Sequence, residues 1–153
     1  MTVADLREEI AIELEAMTQV VAELWALQQD VADREPTVRE KTAAAAFLAQ
    51  FYNGIENILK RISYYYDVPL PEGDAWHVEL FQRFVHPPFA NLPSLFDTDL
   101  ATNLAPYRRF RHVVFHSYGF QLDWRRMAEG VQGISSVFTQ FETSMATFLH
   151  SLA

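Results

Sequence analysis

The chain has 153 residues, half of them apolar, with five glycines and no cysteine, and this composition predicts a single compact domain spanning residues 1–153. The lack of cysteine excludes disulfides, cysteine-ligated metal sites and a thiol nucleophile, and it is typical of a cytoplasmic protein. The N-terminal residues lack the basic start and apolar run of a signal peptide, and no stretch approaches the ~20 apolar residues that cross a bilayer. We therefore expect neither export by that route nor a membrane partner.

Charge is unevenly distributed along the chain. The net charge of -8, from 12 basic and 20 acidic residues, argues against a general nucleic-acid coat protein. Residues 1–40 contain ten acidic and three basic side chains, whereas residues 107–126 contain five arginines and one aspartate. A phosphate-bearing partner is therefore expected to bind at residues 107–126.

The first predicted helix runs from about residue 3 to residue 31. Thr2 followed by Asp5 is a capping pattern that satisfies free backbone N–H groups at a helix start. Apolar residues then recur every three or four positions and predict one buried stripe, with the acidic side chains on the outer face. The stripe consists of Val3, Leu6, Ile10, Leu14, Met17, Val21, Leu24 and Leu27.

The middle of the chain predicts a second long helix and a short third one. Pro36 suits the first turn of a helix that ends near Tyr66. The segment DVPLPEGD is then typical of a loop, and a short helix over about residues 75–85 is expected to end before two consecutive prolines. Residues 87–105 are predicted to be mostly irregular, with helical turns near residues 94–100 left open.

The last third of the chain predicts two more helices. Pro106 is interpreted as the start of a helix that runs to about Ser117, with Gly119 as its terminator and Asp123 as the cap of the final helix. Apolar residues in that final helix alternate spacings of three and four, which predicts a buried seam. The fold class is therefore all-α, an antiparallel up-and-down bundle of four to five helices.

Residues 106–127 contain the side chains best suited to chemistry, and three interpretations remain open. His112 and His116 lie four apart, as paired metal ligands do, but nearby arginines would repel a cation and further ligands are lacking. Alternatively, the arginines form a solvated face, the histidines are hydrogen-bonded at the surface, and Tyr118 packs its ring under the turn.

The third interpretation is cleavage of RNA without a metal or other cofactor. The reaction needs a base for the 2′-hydroxyl proton, an acid for the leaving 5′-oxygen and a cation beside the phosphate. On an ideal helix Arg109, not Arg111, shares a face with His116. One histidine cannot obviously act as both acid and base, so a two-fold dimer that brings two copies together is attractive.

The run from Arg111 to Tyr118 fits R-x-x-x-x-H-x-Y and resembles the signature of HepT-like ribonuclease toxins in the HEPN superfamily of helical bundles. Two further segments carry the resemblance: FYNGIENILKRI is similar to the family's second helix, and LPEGDAWHVELF to its P-x-G-x-x-W-H-x-x-L connection. The resemblance spans about residues 40–130. Three matching segments in the correct order are more specific than the short motif alone.

The resemblance implies the toxin of a type VII-like toxin–antitoxin module: a homodimeric, metal-independent endoribonuclease that cleaves transfer RNA or messenger RNA and does not act on DNA. Arg111 would steady the scissile phosphate and His116 would transfer protons. A minimal nucleotidyltransferase antitoxin would add AMP to Tyr118 and place negative charge beside the RNA cleft. The remaining RNA-binding candidates are Arg108, Arg109, His112, Arg125 and Arg126.

Some roles stay open within this resemblance. His112 stands where the family often has a small polar residue, so it either joins catalysis or fills space. Trp76 and His77 match the connecting motif, and a structural role is favoured for them because an aromatic residue after a loop usually anchors it. A non-catalytic helical module that docks a nucleotidyltransferase or another partner through the basic helix is the alternative function.

Overall fold

The computed structural model describes residues 1–152, which form five α-helices and a short 3-10 turn. No strand is formed within this range; Val85 and Phe96 make an isolated bridge. The predicted all-α fold is confirmed. The helices are α1 (Val3–Asp30), α2 (Val38–Tyr65), α3 (Trp76–Gln82), α4 (Thr98–Phe115) and α5 (Trp124–Ser151), and the 3-10 turn is Gly119–Gln121.

The starts of α1 and α2 are fixed by two similar capping boxes. The predicted Thr2 and Asp5 pair caps α1. At α2 the prediction is wrong by two residues: Thr37 is the cap, with Glu40 bonding back to its backbone, so the proline lies before the helix and not in its first turn. Arg34 donates to both carboxylate oxygens of Glu40, and these bonds, with that from Thr37, lower the pKa of Glu40 to about 2.

The start of α4 also differs from the sequence prediction. The helix begins at Thr98, eight residues before Pro106, because the Asp97 side chain accepts from the backbone N–H of Leu100 at 2.8 Å. Pro106 therefore lies inside the helix, where it cannot donate to the carbonyl of Thr102. Burial of Leu100, Leu104 and Tyr107 along the same helix offsets that lost bond. The helix ends at Phe115, two residues before the predicted end.

The helix α2 is central to the bundle. It contacts each of the other four helices and the 3-10 turn, and α1 and α4 also pack against α5. Arg61 on α2 lies 3.3 Å from Glu9 and 3.4 Å from Glu13, which joins α2 to the acidic side of α1. None of the helices in residues 1–152 is long and apolar enough to cross a membrane.

The predicted seam of α5 is confirmed. Seven of its residues are buried in the core, and Trp124 and Leu152 at its two ends pack partly buried against that core. Along α4, the fully buried residues end at Tyr107, and beyond it Phe110 and Val114 pack partly buried against the core. The buried seam residues are Met127, Val131, Ile134, Phe138, Phe141, Met145 and Phe148.

Candidate functional site

An open cavity of about 730 Å³ lies between the start of α3 and the last two turns of α4. Its lining contains three arginines and three histidines but one acidic residue, Asp74, so its electrostatic character is cationic. The lining residues are Asp74, Ala75, His77, Val78, Arg108, Arg109, Arg111, His112, Phe115 and His116.

Behind one wall of the cavity lies a polar network that we call the anchor cluster: Asn53, Glu56, His77 and Arg111. His77 and Arg111 line the cavity, and Asn53 and Glu56 contact them from α2. The Glu56 side chain is 3% exposed, and its two oxygens lie 2.6 Å from His77 Nδ1 and 3.8 Å from Arg111 Nη2. Arg111 Nε donates to Asn53 Oδ1. A carboxylate only accepts hydrogen bonds, so the His77 contact places a proton on Nδ1. The motif arginine is thus oriented by two residues of α2.

A stack of flat side chains completes this wall. Arg111 Nη1 lies 3.2 Å from Nδ1 and 3.3 Å from Nε2 of His77. The His77 ring lies against the Trp76 ring, with centroids 3.5 Å apart, and Lys60 Nζ lies 4.7 Å from the Trp76 ring. Trp76 therefore anchors the start of α3 on α2, as expected, whereas His77 also faces the cavity.

Two buried polar groups lie beside the anchor cluster without hydrogen-bond partners among the described residues: Tyr52 Oη and Arg108 Nη1. Burial raises the pKa of Tyr52 far above its usual range, and the Glu56 carboxylate adds to this rise while Arg108 and Arg111 oppose it. The Arg108 guanidinium lies 5.0 Å from the Phe81 ring. Arg108 also lines the cavity, where its positive charge attracts an incoming anion.

The end of α4 brings both histidines of the motif segment, His112 and His116, to the cavity. The rings of His112 and His116 lie with centroids 4.6 Å apart. His116 is the cap residue at the end of α4, and its φ of −115° and ψ of 11° no longer correspond to an α-helix. Ideal helical spacing therefore does not apply to His116, and Arg109, Arg111 and His116 all line the same cavity. Within residues 1–152 no three His, Asp or Glu side chains form a set that could bind a metal ion.

The other predicted residues lie outside this cavity lining. Tyr118 is 71% exposed and lies parallel to the ring of Phe120, which excludes the alternative that its ring packs under the turn. Arg125 and Arg126 are exposed in the first turn of α5. Arg126 lines a separate groove between α4 and α5, to which Arg109 also contributes.

The sequence interpretation missed Asn53 and Glu56 and gave too little weight to His77. A signal for Glu56 was present, because it occupies a helical position between the apolar residues Tyr52 and Leu59 on the buried face of α2. A charged residue on such a face is almost always paired. Its partners lie 21 and 55 positions further along the chain, at distances that no helical period indicates.

A protein-family model described as HepT-like protein matches residues 43–152. The chain belongs to the HepT-like family. The match covers almost all of α2 and all of the later helices, and it extends the sequence resemblance beyond residue 130 while leaving α1 outside. No match was found among curated proteins or solved structures.

Membership of this family connects the fold to a class of activity. The HepT-like family suggests an HEPN toxin of a toxin–antitoxin system; HEPN proteins are generally ribonucleases, and HepT-like toxins generally pair with nucleotidyltransferase antitoxins. The cationic cavity at the motif segment has the charge that binding of a polyanion requires.

Proposed function

We propose that this HepT-like protein is a metal-independent endoribonuclease toxin that cleaves transfer RNA or messenger RNA. The observation that carries the proposal is the common cavity of Arg108, Arg109, Arg111, His112 and His116, in which buried Glu56 orients the motif arginine. A cation fixed in position before the substrate arrives stabilises developing charge more effectively than a mobile one.

The cavity residues suit a transesterification on RNA. A base removes the 2′-hydroxyl proton, the 2′-oxygen forms a bond to phosphorus, and the bond from phosphorus to the 5′-oxygen breaks as that oxygen receives a proton. The products carry a 2′,3′-cyclic phosphate and a 5′-hydroxyl. Arg111 stabilises the charge on the phosphoryl oxygens, and His116 acts in proton transfer. The reaction requires the 2′-hydroxyl, so DNA is not a substrate.

The proposal includes a two-fold homodimer. Proton removal and proton donation require two groups, and His77 has its Nδ1 committed to Glu56 at 2.6 Å. We therefore assign His77 to orienting Arg111 and assign the second proton-transfer group to His116 of a second copy. His112, whose ring lies beside that of His116, contributes to phosphate binding together with Arg108 and Arg109.

Tyr118 is the proposed site of control by a nucleotidyltransferase antitoxin. Its exposed ring makes the hydroxyl accessible to an enzyme that transfers AMP from ATP. The added phosphate would interact with the nearby arginines of α4 and compete with RNA for them. Arg125 and Arg126, which are exposed on the next helix, are proposed to extend the phosphate track or to contact the antitoxin.

The test is cleavage of total cellular RNA by the unmodified protein in excess chelator. We expect discrete products from the wild type and a loss of at least about 100-fold in rate for both Arg111→Ala and His116→Ala. His150→Ala is the matched control, because His150 is an exposed histidine in the last turn of α5 outside the cavity. Full activity of His116→Ala would contradict the assignment.

Intact mass measurement completes this test. Added AMP on the purified chain would explain lack of cleavage, and cleavage by the unmodified fraction would then be measured. An unmodified chain that does not cleave RNA would contradict the nuclease proposal and favour a binding module that docks a nucleotidyltransferase through its basic helix.

A further inference from the structure

Exposed apolar side chains are concentrated in one short stretch, which we call the exposed segment: residues 113–120. Four of the eleven large exposed hydrophobic side chains described in the protein lie within these eight residues. They are Val113, Phe115, Tyr118 and Phe120, and the three aromatic ones are 62% to 71% exposed. Leaving so much apolar surface in water is unfavourable, so a cluster of this kind indicates a binding surface.

Local contacts give the aromatic pair a defined geometry. The rings of Tyr118 and Phe120 are parallel to within 3°, with centroids 5.5 Å apart. The Tyr118 N–H donates to Gln121 Oε1 at 2.9 Å and its carbonyl accepts from Gln121 N–H at 2.9 Å. Gly119, which lies between Tyr118 and Phe120 in the sequence, packs directly on Thr42 of α2. The two rings are thus presented in one orientation by a turn that is attached to the bundle.

The charges around the exposed segment select the kind of partner. Arginines precede it on α4 and follow it at the start of α5, and Asp123 is the one acidic residue between positions 107 and 126. Phe115 also lies with its ring 5.0 Å from the Arg111 guanidinium. Aromatic faces in a segment flanked along the chain by arginines match single-stranded nucleic acid, in which unpaired bases accompany each phosphate. A purely apolar partner would leave these cations unmatched.

We propose that Phe120 and Tyr118 form a stacking site for an unpaired base of the RNA, beside the phosphate held in the cavity. The inference rests on the proposed function for the identity of the polymer, and it adds the requirement that the RNA be single-stranded where it binds. Bases paired in a duplex have their faces covered by neighbours, so they cannot stack on the exposed rings. AMP attached to Tyr118 would also obstruct this site.

The experiment measures binding of a fluorescein-labelled single-stranded oligoribonucleotide and of its duplex by fluorescence anisotropy. The protein is the full chain with His116→Ala, which prevents cleavage, and its unmodified state is verified by intact mass. Adding Phe120→Ala is expected to weaken single-strand binding about 5-fold or more and to change duplex binding by less than about 2-fold. Phe120→Trp is expected to restore single-strand binding, because stacking requires an aromatic face and not one particular ring.

Tyr64→Ala is the matched control. Tyr64 is 72% exposed, as Tyr118 and Phe120 are, but it lies about 33 Å along α2 from Thr42, where Gly119 packs. We expect Tyr64→Ala to bind the single strand as the parent does. An equal loss in this control would overturn the proposal, because a general loss of exposed apolar surface would then explain the result.

The outcomes separate this inference from the proposed function. If the parent binds RNA and the wild type cleaves it, but Phe120→Ala binds the single strand normally, the stacking site is wrong and the nuclease proposal stands. If Phe120→Ala changes the oligomeric state measured by light scattering, the exposed segment is an interface between copies and the stacking site is wrong. If the parent binds no RNA and the wild type does not cleave it, both proposals fail.

Discussion

Two regions that meet at the end of α4, the anchor cluster and the exposed segment, are built in opposite ways. The anchor cluster is enclosed, and each of its charged groups contacts a named partner within 4 Å. The exposed segment has few such contacts and places aromatic side chains in solvent. The end of α4 thus connects a region that fixes charge in place with a region that leaves surface free for a partner.

The difference between the anchor cluster and the exposed segment indicates that the first serves catalysis and the second serves recognition of the RNA. Stabilising charge on a phosphoryl oxygen requires a cation that does not reorganise during the reaction, which the contacts of Arg111 with α2 provide. Accepting RNA of varied sequence instead requires tolerant contacts, and stacking on exposed rings is tolerant because every base has a face. Substitutions in the anchor cluster and in the exposed segment should therefore affect different kinetic parameters.

Among the substitutions that test this comparison, the largest effect is expected from Glu56→Gln. The substitution keeps the shape of the side chain and removes the charge, so Arg111 and His77 lose the carboxylate that orients them. We expect kcat for RNA cleavage to fall about 10- to 100-fold, with a smaller change in KM. The reason is that Arg111 is no longer held in the position where it stabilises the charge on the phosphoryl oxygens in the transition state. Thermal unfolding should also show a loss of about 1 to 3 kcal/mol in the free energy of unfolding.

Glu9→Gln is the control for this prediction. Glu9 also pairs with an arginine, Arg61 at 3.3 Å, but on the outer side of the bundle between α1 and α2. We expect its cleavage rate to be unchanged and its unfolding free energy to fall by less than about 1 kcal/mol. Unchanged kcat in Glu56→Gln would mean that Asn53 and His77 alone are sufficient to position Arg111.

The same contrast explains what could be predicted from the sequence. Periodic apolar residues predicted α1 and α5 closely, because burying one stripe is a local requirement of any amphipathic helix. The start of α4 was predicted wrongly because Pro106 has a strong local preference that packing of Leu100 and Leu104 overrides. Local patterns therefore predict most of the fold and fail where distant contacts decide.

The candidate site depends more than the fold does on contacts between residues that are distant in the sequence, and it was therefore harder to predict. The motif resemblance pointed to Arg111 and His116, and both line the cavity, but their catalytic roles stay predictions. The contact of Glu56 with His77 is created only when α3 packs on α2. A sequence shows that a buried acid needs a partner but not which of several basic residues supplies it.

An intermediate effect is expected from Gly119→Ala. A methyl group at this position would collide with Thr42 Oγ1 of α2, so the Thr42 side chain or the turn that presents Tyr118 and Phe120 has to shift. We expect single-strand RNA binding to weaken several-fold and the unfolding free energy to fall by about 1 to 3 kcal/mol, the range typical of overpacking. Binding anisotropy and thermal unfolding measure the two effects.

A second substitution tests the cause of that effect. Thr42→Ala removes the hydroxyl that collides with the new methyl group, so the double variant should recover most of the lost binding. The coupling between the two positions is the expected result of a double-mutant cycle. If the two effects simply add, the close packing of Gly119 on Thr42 does not determine the orientation of the aromatic pair.

The smallest effects are expected from two buried tyrosines, and they differ in size. Tyr107 donates to the Gly130 carbonyl at 2.7 Å, so Tyr107→Phe should lower the free energy of unfolding by about 1 kcal/mol. The hydroxyl of Tyr52 makes no hydrogen bond of good geometry among residues 1–152 and has only Arg108 close to it, so Tyr52→Phe should leave stability nearly unchanged. Urea unfolding at neutral pH measures both, and equal losses would contradict the distinction.

Alkaline titration gives Tyr107 a second signature. Burial, with a smaller contribution from the Glu129 carboxylate, raises its pKa from 10.0 to about 12. The unfolded chain then loses the phenolic proton more readily than the folded protein, so the stability contributed by the neutral phenol is complete below pH 10 and is lost as pH rises towards 12. Tyr107→Phe should reduce the decline of unfolding free energy across this window. If wild type and variant decline in parallel, Tyr107 ionises equally easily in both states, and its burial between α4 and α5 has no effect on its titration.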